Sequence, residues 1–373
     1  MDACRYFKGD KPCKYYWVDR SWDCTTCVHN DPFKERILLI KLDALGDVVR
    51  STSLIEGIKK KYPQAQLTWL TRESGSFFVS GNPAVDRVLL FNEDVLRRLL
   101  CEKFDIIINL DKDAKIAALA NMISSEDKRG YGLHSEGYVI PFNRGAKYHY
   151  TICLDNYGSK TRNTKSYQQL IYEIAELPYQ GEKPVLFLDP IKASVFRQKF
   201  FQEHGIAERD FVVIANTGCG PVYPHKQWTY HGFKDLLQKL VIDPKVKVIL
   251  TGAESELERN SSLKKDVPSL QVIDTTNKYS VEDFCYLVNC SDLVITGDTV
   301  GIHIAIALNK KIISFFGPTP HQEVDLFGLG KKFVREELDC LNCYDQFPCP
   351  YGGRCMELIT ANDVYKEVEA LRK

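Results

Sequence analysis

Long apolar runs are missing from this chain, and so is any imbalance of charge. No stretch approaches the roughly 20 consecutive apolar residues of a membrane-spanning helix. Lysine plus arginine equals aspartate plus glutamate, 49 of each in 373 residues. No global field therefore draws the protein to nucleic acid or anionic lipid. The first residues, MDACRYFKGDKPCKYYW, lack the apolar core of a signal peptide. The expectation is a cytoplasmic protein with no nucleic-acid partner. Peripheral contact with the inner face of a membrane stays open, because a local patch needs no net charge. Several nucleotide and hydrolase signatures are absent too. There is no G-x-x-x-x-G-K-[ST], so a P-loop is unsupported. No G-x-G-x-x-G follows the first apolar strand, which argues against a dinucleotide oxidoreductase. No G-x-S-x-G elbow suggests a hydrolase. No short-period repeat suggests a solenoid.

What is present is an ordinary globular composition, 44% hydrophobic and 26% charged. The length exceeds one usual core, so two domains are expected. Four segments are assigned from composition: a Cys-rich extension over 1–35, a Rossmann-like domain over 36–183, a second over 184–335, and a Cys-rich segment with a terminal helix over 336–373. Apolar runs at 37–40, 66–70, 87–91 and 104–110 read as strands. Helical stretches lie between them, notably 54–62 and 115–122. Residues 130–165 are rich in Gly, Tyr and His and read as loop and crossover, followed by a helix over 167–177. The pattern restarts near Lys183-Pro184. Strands are expected at 211–215, 246–251, 270–273, 293–296 and 311–316, with helices at 230–240 and from 299 to 308. Alternation of strand and helix means parallel, doubly wound sheets.

The stretch ILLIKLDALGDVVRST, Ile37 to Thr52, carries the sharpest local signal. Four apolar residues suit a strand covered on both faces. Gly46 permits a tight turn, and Asp47 falls at the start of a helix, at the carboxyl edge of the sheet where ligands bind. A carboxylate there caps the helix or takes a proton from a substrate; residue type alone leaves both open. Nearby Lys59, Lys60, Lys61 and Arg50 either meet an acidic acceptor or form a solvated helix face.

In the second half three loops follow strands. NTGCGPVYPHKQW offers Thr217, Gly218 and the Lys226 cation. TGAESELE offers Glu254 and Glu256. GDTVGIHIA offers Asp298, a helix N-terminus at Thr299 to Gly301, and His303 one turn in. Backbone N–H groups, a lysine and a carboxylate suit a nucleotide diphosphate, with the carboxylate on the ribose. Gly, Thr and Asp are also ordinary turn residues, and the grouping at successive strand ends is what favours a ligand site.

Thirteen cysteines stand out. Cys340, Cys343, Cys349 and Cys355 have the spacing C-x2-C-x5-C-x5-C, and read as a four-thiolate structural site for zinc or iron. Cys4, Cys13, Cys24 and Cys27 form a looser set, C-x8-C-x10-C-x2-C, whose spacing does not separate zinc from iron or an iron–sulfur cluster. The alternative in both places is a set of reduced, partly buried thiols.

Four blocks together resemble glycosyltransferase family 9, the ADP-heptose heptosyltransferases of bacterial envelope assembly. They are the opening ILLIKLDALGDVVRST with its later Tyr-Pro, NTG followed by HKQW, GDTVGIHIAIALNKKIISFFGPTPHQE, and CLNCYDQFPCPYGGRCMELIT. The resemblance spans about 36–371. It implies a GT-B fold and an inverting transfer of a heptose or related sugar that needs no divalent metal. The implied donor is a nucleotide diphosphate sugar, ADP-heptose, and the acceptor an envelope glycan or protein hydroxyl. By position it makes Asp47 the general base, places Thr217, Gly218 and Lys226 on the donor phosphates, and assigns Asp298, Thr299, Gly301 and His303 to the donor segment. Glu256, less surely Glu254, matches a ribose-binding glutamate. Related protein-modifying members carry iron in a comparable cysteine finger. One departure stands in the third block: the family has Gly after Asp-Thr, whereas here Val300 precedes Gly301 and narrows the approach to the phosphates. Two rivals follow: another GT-B nucleotide-sugar enzyme such as an epimerase, or a metal-organised scaffold with a degenerate transferase body.

Overall fold

The computed structural model describes residues 4–155, 162–220, 224–343, 349 and 351–373. Parts of all four assigned segments lie outside the described residues: 1–3 of the Cys-rich extension, 156–161 of the crossover, 221–223 of the loop after Thr217, and 344–348 and 350 of the cysteine segment.

The chain forms two compact units. The first runs from the N-terminus to Ala44, then Ser51–Tyr150 and Gln169–Glu182. The second takes Leu45–Arg50, Thr151–Gln168, and Lys183 to the C-terminus. The short Gly-Asp helix, Leu45–Ser51, therefore gathers almost entirely with the second unit.

In the first unit the strands are β1 (Arg36–Ile40), β2 (Gln66–Thr71), β3 (Arg87–Leu90), β4 (Ile106–Asn109), β5 (Asp127–Leu133) and β6 (Val139–Pro141). They lie in the order β3-β2-β1-β4-β5-β6, parallel except for β6. Ile37 to Ile40 are fully buried, as a run covered on both faces requires. Leu38, Ile40, Leu70, Phe104 and Ile107 belong to one apolar cluster beneath the helix Ala114–Met122.

The second unit holds β7 (Phe211–Asn216), β8 (Val246–Thr251), β9 (Val272–Asp274), β10 (Leu293–Gly297), β11 (Lys311–Phe315) and β12 (Gly330–Phe333). All pair in parallel, in the order β12-β11-β10-β7-β8-β9. Counted within its own half, each sheet runs third, second, first, fourth, fifth, sixth. That order reverses between the first and fourth strands, which opens a crevice at their carboxyl ends. The α/β class with two Rossmann-like sheets is the one expected.

Several local expectations are corrected. Residues 130–165 are not one loop and crossover: they hold most of β5, all of β6 and the helix Arg144–Leu154. The strand β5 reads DKRGYGL, and its charges and glycines conceal it. Gly130 is required there, at φ 91°, because a Cβ would stand 1.8 Å from the Asn109 carbonyl oxygen of the paired strand. Strand β9 begins at Val272 rather than Leu270, which is 95% exposed. The helix Pro190–His204, capped by Asp189, precedes β7. No helix among the described residues is long and apolar enough to cross a membrane.

Candidate active site

The second sheet brings its loops together at the β7/β10 crevice. Asn216 ends β7, and its Nδ2 donates to Thr299 Oγ1 at 3.0 Å and to Thr296 Oγ1 at 3.2 Å. Thr299 caps the helix Val300–Ala307, its hydroxyl accepting from the Gly301 N–H at 3.1 Å. Gly301 leaves room for that amide: a Cβ would approach Asn216 Nδ2 to 2.9 Å and displace it.

Lys226 reaches this point from a single 3-10 turn, Pro224–Lys226. Its Nζ donates to Asp298 Oδ2 at 2.8 Å, both side chains being 15% exposed. Trp228 explains why the lysine is held there. Its ring is buried and stacks on Phe315 at 4.5 Å, and its Nε1 donates to the Ile359 carbonyl at 3.0 Å. The Lys-x-Trp spacing thus couples one core anchor to one cation at the sheet edge. Burial works against ionising Asp298, but Lys226, with Arg50 behind it, outweighs burial and holds the carboxyl below its usual range.

The Gly-Asp turn packs into the same unit. A Cβ on Gly46 would lie 2.8 Å from His303 Cδ2, so only glycine permits this approach. Asp47 is adjacent, in the first turn of its helix, with Oδ1 3.3 Å from Arg50 Nη1. The Arg50 guanidinium lies over the Tyr167 ring at 3.7 Å. His303 is buried, and burial, with the Arg50 charge, pushes its imidazole down to about 3, so it is neutral at physiological pH. Asp47, His303, Asp298, Lys226 and the Thr299–Gly301 turn are thereby neighbours within one unit.

Other assigned residues take different places. Glu256 is buried; its Oε2 accepts from the Ala253 N–H and its Oε1 from the Ser255 hydroxyl, each at 2.8 Å. Gly218 leaves room for it, since a Cβ there would stand 2.2 Å from Glu256 Cδ. Glu254 is exposed. Thr217 is buried, and its hydroxyl donates to Asn260 Oδ1 at 2.5 Å. Its contribution at the edge of β7 is therefore to the loop. Val300 lines a small cavity of about 190 Å³ at the ends of β7, β8 and β9, with Val281, Phe284, Leu287 and Tyr279. The β-branched residue is thus one wall of an apolar slot. The three lysines of the helix Ser53–Lys61 have partners: Lys59 with Asp86, Lys60 with Glu56 and Glu182, Lys61 with the Glu176 carbonyl.

Sequence reading overlooked three groups. Asn216 orients Thr299. Arg259 donates to the Trp228 carbonyl at 2.6 Å and faces Glu256 electrostatically. Lys41 and Asp111 form a nearly buried ion pair at the corresponding crevice of the first sheet, 2.6 Å apart. Pairs so distant in sequence leave no local pattern; only the Lys41 and Asp111 positions, just after strands, hint at them.

The C-terminal thiols converge on the second unit's loops. Cys340, Cys343 and Cys349 each act electrostatically on Cys355, although burial is the larger cause that pushes its thiol up to about 11. Cys355 Sγ backs on Gly317, where a Cβ would come within 2.5 Å, and the Asn342 N–H donates to the Gly317 carbonyl at 3.0 Å. Among the described residues, no three His, Cys, Asp or Glu side chains are grouped closely enough to hold a metal ion.

Comparison with known proteins agrees with this architecture. The model of glycosyltransferase family 9 (heptosyltransferase) matches residues 94–350. Lipopolysaccharide heptosyltransferase 1 of Campylobacter coli is 23% identical over 307 residues, which cover 76% of this chain and 84% of that protein. The family 9 glycosyl transferase structure from Veillonella parvula superposes with TM-score 0.73 at 19% identity, over 90% of this chain and 97% of that one. The E. coli ADP-heptose lipopolysaccharide heptosyltransferase II gives TM-score 0.66 at 17% identity, over 90% and 98%. An iron-containing dodecameric glycosyltransferase from enterotoxigenic E. coli gives TM-score 0.57 at 11% identity, over 91% and 76%. With two parallel sheets of one strand order and a family match over most of its length, this chain belongs to glycosyltransferase family 9 and is a glycosyltransferase of the GT-B fold.

Proposed function

We propose that this transferase moves a heptose or closely related sugar from a nucleotide diphosphate donor, ADP-heptose, to a hydroxyl of an envelope glycan or protein. Transfer inverts the anomeric centre in a single displacement. The observation that carries this reading is the packing of Gly46 on His303, which brings Asp47 beside the Lys226–Asp298 pair and the Thr299–Gly301 helix N-terminus.

In this reading Asp47 accepts the proton of the attacking hydroxyl. The acceptor oxygen bonds to the anomeric carbon as the bond from that carbon to the diphosphate oxygen breaks. A carboxylate suffices as base, because the hydroxyl becomes strongly acidic only as the new bond forms. Negative charge collects on the departing diphosphate, where Lys226 and the N–H groups of residues 300 and 301 stabilise it. Asp298 orients Lys226, and the buried neutral His303 supports the turn without adding charge. The apolar slot beside Val300 takes the base. Glu256 has acceptor capacity left for the ribose hydroxyls after its two loop hydrogen bonds. The positive charge these groups supply fits a transfer with no divalent metal in the reacting centre.

The C-terminal thiols support a separate, structural role. Four soft donors fit zinc or iron. Cys340, Cys343, Cys349 and Cys355 would hold the ion and tie the Gly317 loop to the segment that packs near His225. The epimerase and scaffold readings are not favoured, since the matched family is one of transferases.

The test is product analysis with purified protein, ADP-heptose and a deacylated envelope glycan. The expected result is ADP release matched by a new glycoside of inverted configuration. Release of an altered donor with no glycoside, or a retained configuration, would contradict the proposal.

A further inference from the structure

A chain with no net charge gathers cations at the amino edge of its first sheet. Arg36 opens β1 and Arg87 opens β3. In parallel strands these positions lie at the edge opposite Lys41 and Asp111, which follow β1 and β4. Arg98 comes from the helix Glu93–Cys101, and Arg5 and Lys8 from the N-terminal segment. All five side chains line one open cavity of about 630 Å³, in company with two carboxylates, Asp86 and Glu102.

Both carboxylates are already filled. Glu102 Oε1 accepts from Arg87 Nη2 and from Arg98 Nε, each at 2.8 Å. Its Oε2 accepts from Arg87 Nη1 at 2.8 Å and from Arg36 Nη2. Those are all the acceptor sites a carboxylate has. Asp86 accepts from Arg5, from Lys59 Nζ at 3.1 Å and from the Leu67 N–H at 2.7 Å. The outlying Asp31 and Asp105 are taken up by Arg5 at 3.0 Å and by the Arg36 backbone N–H at 2.7 Å. Burial works against ionising Glu102, yet Arg87 and Arg98, with Arg36 behind them, hold its carboxyl down to about 2. Unused donors remain on the cationic side. Arg36 Nε is buried with no acceptor among the described residues. Arg98 engages its Nε alone among the described residues, and its side chain is 58% exposed. Lys8 is exposed as well.

A staple needs matched charges, as Lys41 and Asp111 show. Three guanidiniums around one carboxylate leave positive charge unanswered, and like charges held together oppose the fold unless an anion joins them. We propose that this pocket binds a phosphate ester, at a second anion site distinct from the donor cradle. Arginine forks match phosphate oxygens in geometry as well as charge. A phosphomonoester carries about −1.5 to −2 at neutral pH, which answers the excess around Glu102. Phe7 and Phe33 on the wall give the carbon body of the ester an apolar surface. A sugar phosphate and the headgroup of a phosphatidate lipid share this chemistry. Every residue of the pocket belongs to the first unit, whereas Lys226, Asp298 and the Thr299–Gly301 turn belong to the second. The inference is therefore independent of the transfer reading.

The test uses the full-length protein with excess ADP present. Glucose 6-phosphate is titrated by calorimetry, and phosphatidylcholine vesicles with and without phosphatidate are assayed by co-sedimentation. Binding of the sugar phosphate, or of the vesicles only when they carry phosphatidate, supports the site and tells a soluble ester from a lipid headgroup. Affinity is expected to weaken as salt rises. It should fall about 10-fold or more in Arg98→Gln, a change at an exposed side chain. Glu102→Gln removes the charge that competes for the same arginines, and should tighten binding where a mere staple would only lose stability. The Arg98 comparison stands even where Glu102→Gln fails to fold. Binding of neither ligand overturns the proposal. So does binding that Arg98→Gln leaves unchanged, or binding that disappears in Lys226→Met instead.

Discussion

Both sheets place a lysine and an aspartate at the point where their strand order reverses. In the first unit Lys41 directly follows β1 and Asp111 lies just after β4. In the second, Lys226 comes from the loop after β7 and Asp298 directly follows β10. Topology and residue types match, but the surroundings differ. Lys41 and Asp111 are 6% and 9% exposed, and the second Asp111 oxygen accepts from the Leu42 N–H at 2.6 Å. Both carboxylate oxygens therefore hold the protein's own chain. Lys226 and Asp298 are more open, and they sit beside a helix N-terminus that offers N–H groups to an anion. Burial, rather than motif, separates a pair that staples a fold from a pair that can receive a ligand.

The comparison can be broken first at the buried pair. Asp111→Ala removes the carboxylate paired with the Lys41 ammonium in a nearly closed site, and breaking a buried pair costs about 3–5 kcal/mol. Urea unfolding should show that loss, and a change below about 1 kcal/mol would mean the pair is no staple. Lys226→Met should act in the opposite way. Nucleotide affinity by calorimetry should fall about 10–100-fold, the equivalent of one charge-assisted hydrogen bond, with the unfolding midpoint little moved. A lower midpoint with unchanged affinity would reverse the assignment. A further effect is a pH dependence at His303. Its imidazole stays neutral in the fold down to about pH 3, whereas an exposed histidine takes its proton near 6.5. Between those values the unfolded chain binds the extra proton. The contribution to stability is thus complete above about pH 6.5 and is lost as pH falls toward 3. His303→Gln should flatten that part of the acid limb in unfolding experiments.

Much of this was legible along the chain because parallel strands are buried on both faces. Ile37 to Ile40, Val246 to Thr251 and Leu293 to Thr296 read as strands from apolar residues alone. The loop residues at their ends were legible by position, Asp47 and Asp298 above all. Strand β5 was not, since DKRGYGL is held by its pairing with β4 and by the missing side chain at Gly130. Glu256 was visible as a carboxylate, but not its burial beneath Gly218. Lys41–Asp111 was invisible, because an ion pair across 70 positions leaves no periodicity.

The central claim is that Asp47 removes the acceptor proton beside a donor cradle that binds independently of it. Asp47→Asn, assayed for both transfer and nucleotide affinity in the same preparation, tests this most directly. The account predicts turnover lowered about 10²–10⁴-fold with donor affinity unchanged. Full turnover in Asp47→Asn, or a loss of affinity that accounts for the whole defect, would contradict it.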